Sequence, residues 1–336
     1  MAKHKVLVTG PSWIGDMVMA QSLFIWMKKT NPDVLIDVLA PLWTLPVVGR
    51  MPEINKAIEF NARHGKLDLA MRIKTGQRLK AGFYDEAIVI PRTLKATLPS
   101  LIAGIKKRTG FRSNLGLINN VRSFTKSRQE LFVRRYLALV SDDAYLLDRP
   151  EIPQPRLIVD KDSAERLLEK FNLSDKGFVV IAPGAEFGPA KQWPVTHFAK
   201  LAGLLDRKGF QVAIMGSSKE QYLSEQILEK SRSGNIIDLC GQTSLLDVID
   251  LMAVSHSVVA NDSGLMHLAY ASGAQVNAIY GSSSALYTPP LSSKGCIIQN
   301  LQPCQPCFKR TCQFEHYDCL QSIKPKSIMK NKYNAQ

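Results

Sequence analysis

Apolar positions in the first 150 residues fall into short runs separated by amphipathic stretches. Positions 5–9, 34–39 and 86–90 are rich in Val, Leu and Ile and predict strands, and 17–29 predicts a helix with Val18, Leu23, Ile25 and Trp26 among its apolar positions. Strands alternating with helices predict a parallel sheet built from βαβ units. The stretch 147–155 carries Pro150, Pro153 and Pro155, cannot continue a helix, and reads as a linker. The pattern then restarts. Strands are expected at 178–181, 211–215, 236–239, 257–260 and 275–280, and helices at 196–208, ahead of the capping glycine Gly209, and at 219–230. Two α/β domains joined by a proline-rich linker leave a cleft between them. Ligands of open α/β sheets bind beyond the carboxyl ends of the strands, which directs attention to the loops after Thr9, Ile181, Met215 and Ala260.

A chain of 336 residues agrees with two domains. No run of 18 or more apolar residues is present, so no transmembrane helix is expected. The amino terminus lacks a secretory apolar region and cleavage site, which predicts a cytoplasmic protein. The net charge of +14 is unevenly spread: residues 1–150 hold 24 Lys and Arg against 12 Asp and Glu, and residues 151–336 hold 19 against 17. A basic first half favours an anionic partner, whether nucleic acid, a membrane surface or a phosphorylated substrate. No nucleic-acid-binding signature accompanies the charge, and aromatics do not interleave with the cations, so no nucleic-acid partner is expected.

Three loops carry candidate chemistry. Gly10-Pro-Ser-Trp-Ile-Gly-Asp16 is neither a dinucleotide fingerprint nor a P-loop. Asp16 fits two readings, a carboxylate capping the next helix or a general base facing the cleft. The loop 183–194 delivers one cation, Lys191, a mobile point charge suited to a diphosphate, while Trp193 reads as packing. The loop Asn261-Asp-Ser-Gly-Leu-Met-His267 opens an apolar helix with small residues, exposing unpaired N–H groups to an anion, and Asp262 and Ser263 are also good capping types. Together these loops suggest a nucleotide diphosphate in the second domain and a carboxylate in the first. Cys304, Cys307, Cys312 and Cys319 cluster late in the chain around His316. Their spacing allows a structural zinc, free thiols or a redox-labile pair, whereas a reducing cytoplasm disfavours disulfides.

These segments, with Tyr280-Gly-Ser-Ser283 and Thr288-Pro-Pro-Leu291, resemble glycosyltransferase family nine over nearly the whole chain. The resemblance implies a GT-B fold, with two Rossmann-like domains facing a central cleft. Residues 1–155 would bind the acceptor and 156–322 the donor, with 323–336 a tail that in this fold often crosses back to the first domain. It implies inverting transfer of heptose from ADP-heptose to the first heptose of the lipopolysaccharide inner core on Kdo-lipid A, with no cofactor required for chemistry. Asp16 would be the base. Gly184, Glu186, Lys191, Glu220, Thr243, Asp262, Ser263, Gly264 and His267 would hold the donor, Glu220 through the ribose. Ser12, Trp13, Arg92, Lys95 and Arg112 are the corresponding acceptor candidates, the last three within a stretch, 92–112, free of acidic residues. A glycolipid acceptor would draw the enzyme peripherally to the cytoplasmic face of the inner membrane. A different core acceptor, or a GT-B sugar-nucleotide epimerase, is the alternative.

Overall fold

The computed structural model describes residues 3–61, 67–111, 117–122, 131–143, 151–231 and 233–332. The chain divides into two compact units, Met1–Pro155 and Arg156–Gln336. The first contains β1 (Lys5–Thr9), α1 (Ile14–Thr30), β2 (Leu35–Ala40), α2 (Leu45–Gly49), β3 (Ile54–Glu59), α3 (Leu69–Leu79), β4 (Glu86–Val89), α4 (Leu94–Ile102), β5 (Lys107–Phe111), β6 (Asn120–Arg122) and α5 (Arg134–Leu137). Its strands form one parallel sheet in the order β3-β2-β1-β4-β5-β6. The second contains α6 (Lys161–Lys170), β7 (Phe178–Ala182), α7 (Val195–Asp206), β8 (Gln211–Ile214), α8 (Gln221–Ser231), β9 (Ile236–Asp238), α9 (Leu245–Val254), β10 (Ser257–Asn261), α10 (Gly264–Ala271), β11 (Val276–Tyr280), β12 (Gly295–Gln299), α11 (Asp318–Gln321) and α12 (Pro325–Lys332). Its sheet is also parallel, in the order β12-β11-β10-β7-β8-β9.

Counted from the first strand of each unit, the two orders are the same doubly wound pattern. The direction of winding reverses between β1 and β4 in one sheet and between β7 and β10 in the other. Such reversals splay the outgoing loops apart and create a crevice at the carboxyl edge. The central strands are apolar throughout, as burial on both faces of a parallel sheet requires: every residue of β7, β10 and β11 is buried. Trp193 lies in the second core, edge-on to Phe198 at 4.9 Å, with its indole N–H donating to the Ile323 carbonyl at 3.0 Å. It packs, as its place in the loop suggested.

Several elements have no apolar signature in sequence. β3 and β6 lie at the edges of the first sheet and β12 at an edge of the second, where the strands are only partly buried. β5 begins Lys-Arg-Thr and falls inside the stretch 92–112 that reads as one basic surface. The fold divides that stretch. Arg92 and Lys95 stand at the carboxyl edge of the sheet, whereas Lys107 starts β5 at the amino edge and pairs with Glu86 at 2.9 Å. Arg108 there donates to the backbone carbonyls of Ile105 and Leu117 at 2.5 and 2.7 Å. Arg112 lies outside the described residues. The end of the linker is anchored in the first unit, with Ile152 buried and Ser22 Oγ donating to the Pro153 carbonyl at 2.6 Å. Ile328 and Met329 of α12 belong to the second unit's core, so the described part of the tail packs with its own unit, α12 resting on α7.

Candidate functional site

At the switch point of the first sheet, the loops after β1 and β4 border a cavity of about 520 Å3. That volume suits a small-molecule or oligosaccharide ligand. Asp16, Ser12, Trp13, Arg92 and Lys95 all line it, so the structure brings together every described candidate assigned to the first half. Asp16 is not the helix cap. Trp13 occupies that position, its side chain makes no capping bond, and Asp16 falls in the first turn of α1. The dipole of α1 stabilises a carboxylate there by about 0.3–1 kcal/mol, and Asp16 borders the cavity, half-buried. Two further guanidinium groups, Arg72 and Arg135, line the same cavity and had no sequence signal. Arg72 is buried in α3, lies over the Phe60 ring at 5.2 Å, and donates to the carbonyls of Leu67 at 2.5 Å and Lys95 at 2.6 Å. Burial lowers its pKa, with Asp68 pulling it back upward. Its two carbonyl bonds tie the segment before α3 to the first turn of α4.

At the switch point of the second sheet, Lys191 Nζ donates to Asp262 Oδ2 at 2.6 Å. The ammonium side chain is 17% exposed and the carboxylate 3%. Lys191 ends a short turn, Pro189–Lys191, and its Nζ also lies 5.1 Å from the centre of the Phe187 ring. Asn261, at the end of β10, holds this arrangement. Its Nδ2 donates to the Pro183 carbonyl at 2.8 Å and its Oδ1 accepts from Trp193 N at 3.0 Å, so one amide clamps both ends of the Lys191 loop. Ser263 caps α10 by position only: its side chain makes no capping bond, and its Oγ is buried with no hydrogen-bond partner among the described residues. The amino terminus of α10 therefore keeps its N–H groups and a hydroxyl for an anion.

The remaining second-half candidates divide. Glu220 closes a capping box, its Oε2 accepting from Ser217 N at 2.7 Å and Ser217 Oγ at 2.9 Å. It packs directly over Gly184: a Cβ at 184 would lie 1.4 Å from Glu220 Oε1, so a larger residue there would have to push that carboxylate aside. Glu186 is exposed, and Thr243 makes a 3.5 Å contact with the Leu239 carbonyl in a neighbouring loop. His267 is buried one turn into α10, its Nδ1 3.1 Å from the Tyr270 hydroxyl. Burial takes its pKa down to about 4; Asp262 opposes that shift and Lys191 adds to it. It is a neutral ring beneath the ion pair. Gly264, Ser263, Asp262 and Lys191 share the second switch point, with Gly184 and Glu220 on the adjoining strand ends.

The zinc site that the spacing of the late cysteines allowed finds no support in the fold. Among the described residues no group of three or more His, Cys, Asp or Glu side chains is arranged to hold a metal ion. Cys319 is buried in the second unit's apolar core, where burial and then the neighbouring Cys304, Cys307 and Cys312 push its thiol up to about 11. The segment instead buttresses the Lys191 loop. The Arg310 carbonyl accepts from Ala190 N at 3.0 Å, Phe308 N donates to the Ser282 carbonyl at 2.7 Å, and the Arg310 guanidinium lies 5.2 Å from the Phe187 ring centre. Gly188 is shaped to it: at φ +143°, a Cβ would come within 2.7 Å of the Arg310 carbonyl.

With both switch points described, the comparisons with known proteins decide the family. Residues 72–318 match the family model described as glycosyltransferase family 9 (heptosyltransferase). The chain belongs to glycosyltransferase family 9. It is 38% identical over 335 residues to lipopolysaccharide heptosyltransferase 2 of Escherichia coli strain K12, covering 97% of this chain and 96% of that protein. It is 40% identical over 309 residues to lipooligosaccharide heptosyltransferase 2 of Haemophilus influenzae, covering 88% and 89%. The solved structure of the E. coli ADP-heptose lipopolysaccharide heptosyltransferase II superposes with a TM-score of 0.84 at 37% identity, covering 97% of this chain and 96% of that one. This member of glycosyltransferase family 9 is a glycosyltransferase with a GT-B type fold. Among its described residues no helix is long and apolar enough to cross a membrane.

Proposed function

We propose that this family 9 enzyme transfers a heptose from ADP-heptose to the first heptose of a lipopolysaccharide inner core, with inversion at the anomeric carbon. The observation that carries this reading is the Lys191–Asp262 pair at the amino terminus of α10, on a fold shared with a heptosyltransferase of 38% identity. The second unit binds ADP-heptose. Lys191 and the free N–H groups of α10 meet the diphosphate, Ser263 and Gly264 line the approach, and Glu220, held by Ser217, takes the ribose. The first unit takes the phosphorylated, Kdo-bearing acceptor in the cavity beside Asp16, with Arg72, Arg92, Lys95 and Arg135 facing its anionic groups.

The chemistry follows from those groups. Asp16 accepts the proton of the acceptor hydroxyl as its oxygen bonds to the anomeric carbon. The bond from that carbon to the diphosphate oxygen breaks on the opposite side, and the electron pair leaves with ADP. General-base assistance of this kind contributes about 10²–10⁴-fold. The charge that develops on the diphosphate is met by Lys191 and the helix amides. A lipid-borne acceptor puts the enzyme at the cytoplasmic face of the inner membrane, attached peripherally. The test is turnover of ADP-heptose with a mono-heptosylated Kdo-lipid A acceptor beside one bearing Kdo alone. Transfer to the first and not the second is expected; the reverse preference assigns the chain a different acceptor within the family.

A further inference from the structure

The carboxyl edge of the first sheet holds more than a cavity. Each of four strands is followed there by a segment that leaves large apolar side chains in solvent. Trp13, after β1, is 45% exposed; Leu42 and Trp43, after β2, are 56% and 50% exposed; Leu94, after β4, is 50% exposed. Leu67 and Leu69, after β3, are exposed as well. These groups are linked rather than scattered. Trp43 Nε1 donates to the Ser12 carbonyl at 2.7 Å, which ties it beside Trp13. Arg72 joins the carbonyls of Leu67 and Lys95, which ties the β3 segment to the turn that carries Leu94. Arg92 and Lys95 flank Leu94 in sequence, and both line the cavity together with Trp13. Several exposed apolar side chains on one sheet edge, mixed with cations, point to an interaction surface.

We propose that this edge docks onto an anionic phospholipid bilayer. Trp13, Leu42, Trp43 and Leu94 enter the interfacial zone, and the positive charge of Arg92 and Lys95 at the cavity draws the edge toward the negative surface. The side-chain types favour this occupant. Tryptophan places an apolar body and a polar N–H at the depth where hydrocarbon meets headgroup, leucine supplies insertion, and cations gain from the negative surface. A second copy of this chain fits less well, because a two-fold contact through this face would bring Arg92 and Lys95 toward their own equivalents. The proposal rests on the reading of the acceptor as lipid-borne and adds the surface by which the enzyme reaches it. The cavity would then open toward the bilayer from which the acceptor projects.

The test uses the full chain and a Leu42→Ser/Trp43→Ser/Leu94→Ser variant, none of which lines the cavity. Both are sedimented with vesicles of phosphatidylethanolamine containing phosphatidylglycerol, and with phosphatidylcholine vesicles. Wild type is expected to bind the anionic vesicles, less so as salt rises, and the variant to bind about ten-fold more weakly or worse. ADP titration and turnover of a deacylated acceptor in lipid-free solution are expected to stay unchanged, while turnover of vesicle-borne acceptor falls. If the triple variant fails to fold, Trp43→Ser and Leu94→Ser are measured singly, each with a smaller loss expected. Vesicle binding equal to wild type in a folded variant overturns the proposal, as does absence of binding by wild type. A variant that dissolves a lipid-free dimer and still binds vesicles hands the face to a second copy. Failure of wild type to turn over the deacylated acceptor counts against the acceptor reading and leaves the vesicle result to be judged alone.

Discussion

The two units share a strand order and differ at the edge where ligands bind. In the first, the carboxyl edge surrounds a cavity of about 520 Å3, lined among the described residues by four cations and one carboxylate, Asp16. In the second, the corresponding edge is drawn tight: Lys191 is already bonded to Asp262 and Asn261 clamps the loop from both ends. One scaffold thus supplies two kinds of receptor. A roomy, polycationic basin suits a large and variable anion. A preset ion pair at a helix end suits one small, invariant group. The difference comes from what the loops hold, since the sheets beneath them are wound alike.

The contrast breaks most sharply at Asp16. If the first unit supplies the base and the second only the grip, Asp16→Asn lowers kcat by about 10²–10⁴-fold and leaves ADP binding unchanged, as steady-state kinetics beside calorimetric ADP titration would read. A loss of ADP affinity in that variant would erase the division of labour. The next effect belongs to the second unit. Lys191→Met leaves Asp262 buried without its cation, which costs about 3–5 kcal/mol of stability and weakens ADP binding. Lys191→Met/Asp262→Asn should recover much of the stability but not the affinity, and equilibrium unfolding in urea tests both. The smallest effect is a pH dependence confined to the second unit. His267 has a pKa of about 4 when folded against 6.5 ordinarily, so the unfolded chain binds the extra proton between those values. Stability is full above about pH 6.5 and falls by roughly 3 kcal/mol as the pH drops toward 4. His267→Gln should flatten that part of the melting-temperature profile; an unchanged slope would assign the loss to other groups.

Legibility in the sequence followed burial. The strands with two apolar neighbours, such as β7, β10 and β11, announce themselves as continuous apolar runs. β3, β6 and β12 do not, because an edge strand needs apolar residues on fewer sides. β5 hid for another reason: its Lys107 and Arg108 read as free surface charge, yet one pairs with Glu86 and the other bonds backbone carbonyls. At the site, Asp16, Lys191 and Asp262 were legible because each sits in or beside a glycine-bearing loop at a helix start or a short turn. Arg72, Arg135, Asn261 and Arg310 were not. Arg72 sits mid-helix, Arg135 in a short helix far along the chain, and Arg310 among turns, and only the folded arrangement brings each to its strand end. Asn261 was visible inside its motif, but its clamp on Pro183 and Trp193 spans more than sixty positions and has no local trace.

That clamp has an energetic consequence for the incoming nucleotide. If the diphosphate binds as proposed, Lys191 loosens its hold on Asp262 to meet it, and a loop kept in shape by the ion pair alone would slacken at that moment. Because the Asn261 amide bonds backbone at both ends of the loop, its anchorage is independent of the lysine's partner. The binding surface is rigid in advance, little chain entropy is surrendered on capture, and the exchange of one anion for another can proceed without remaking the loop.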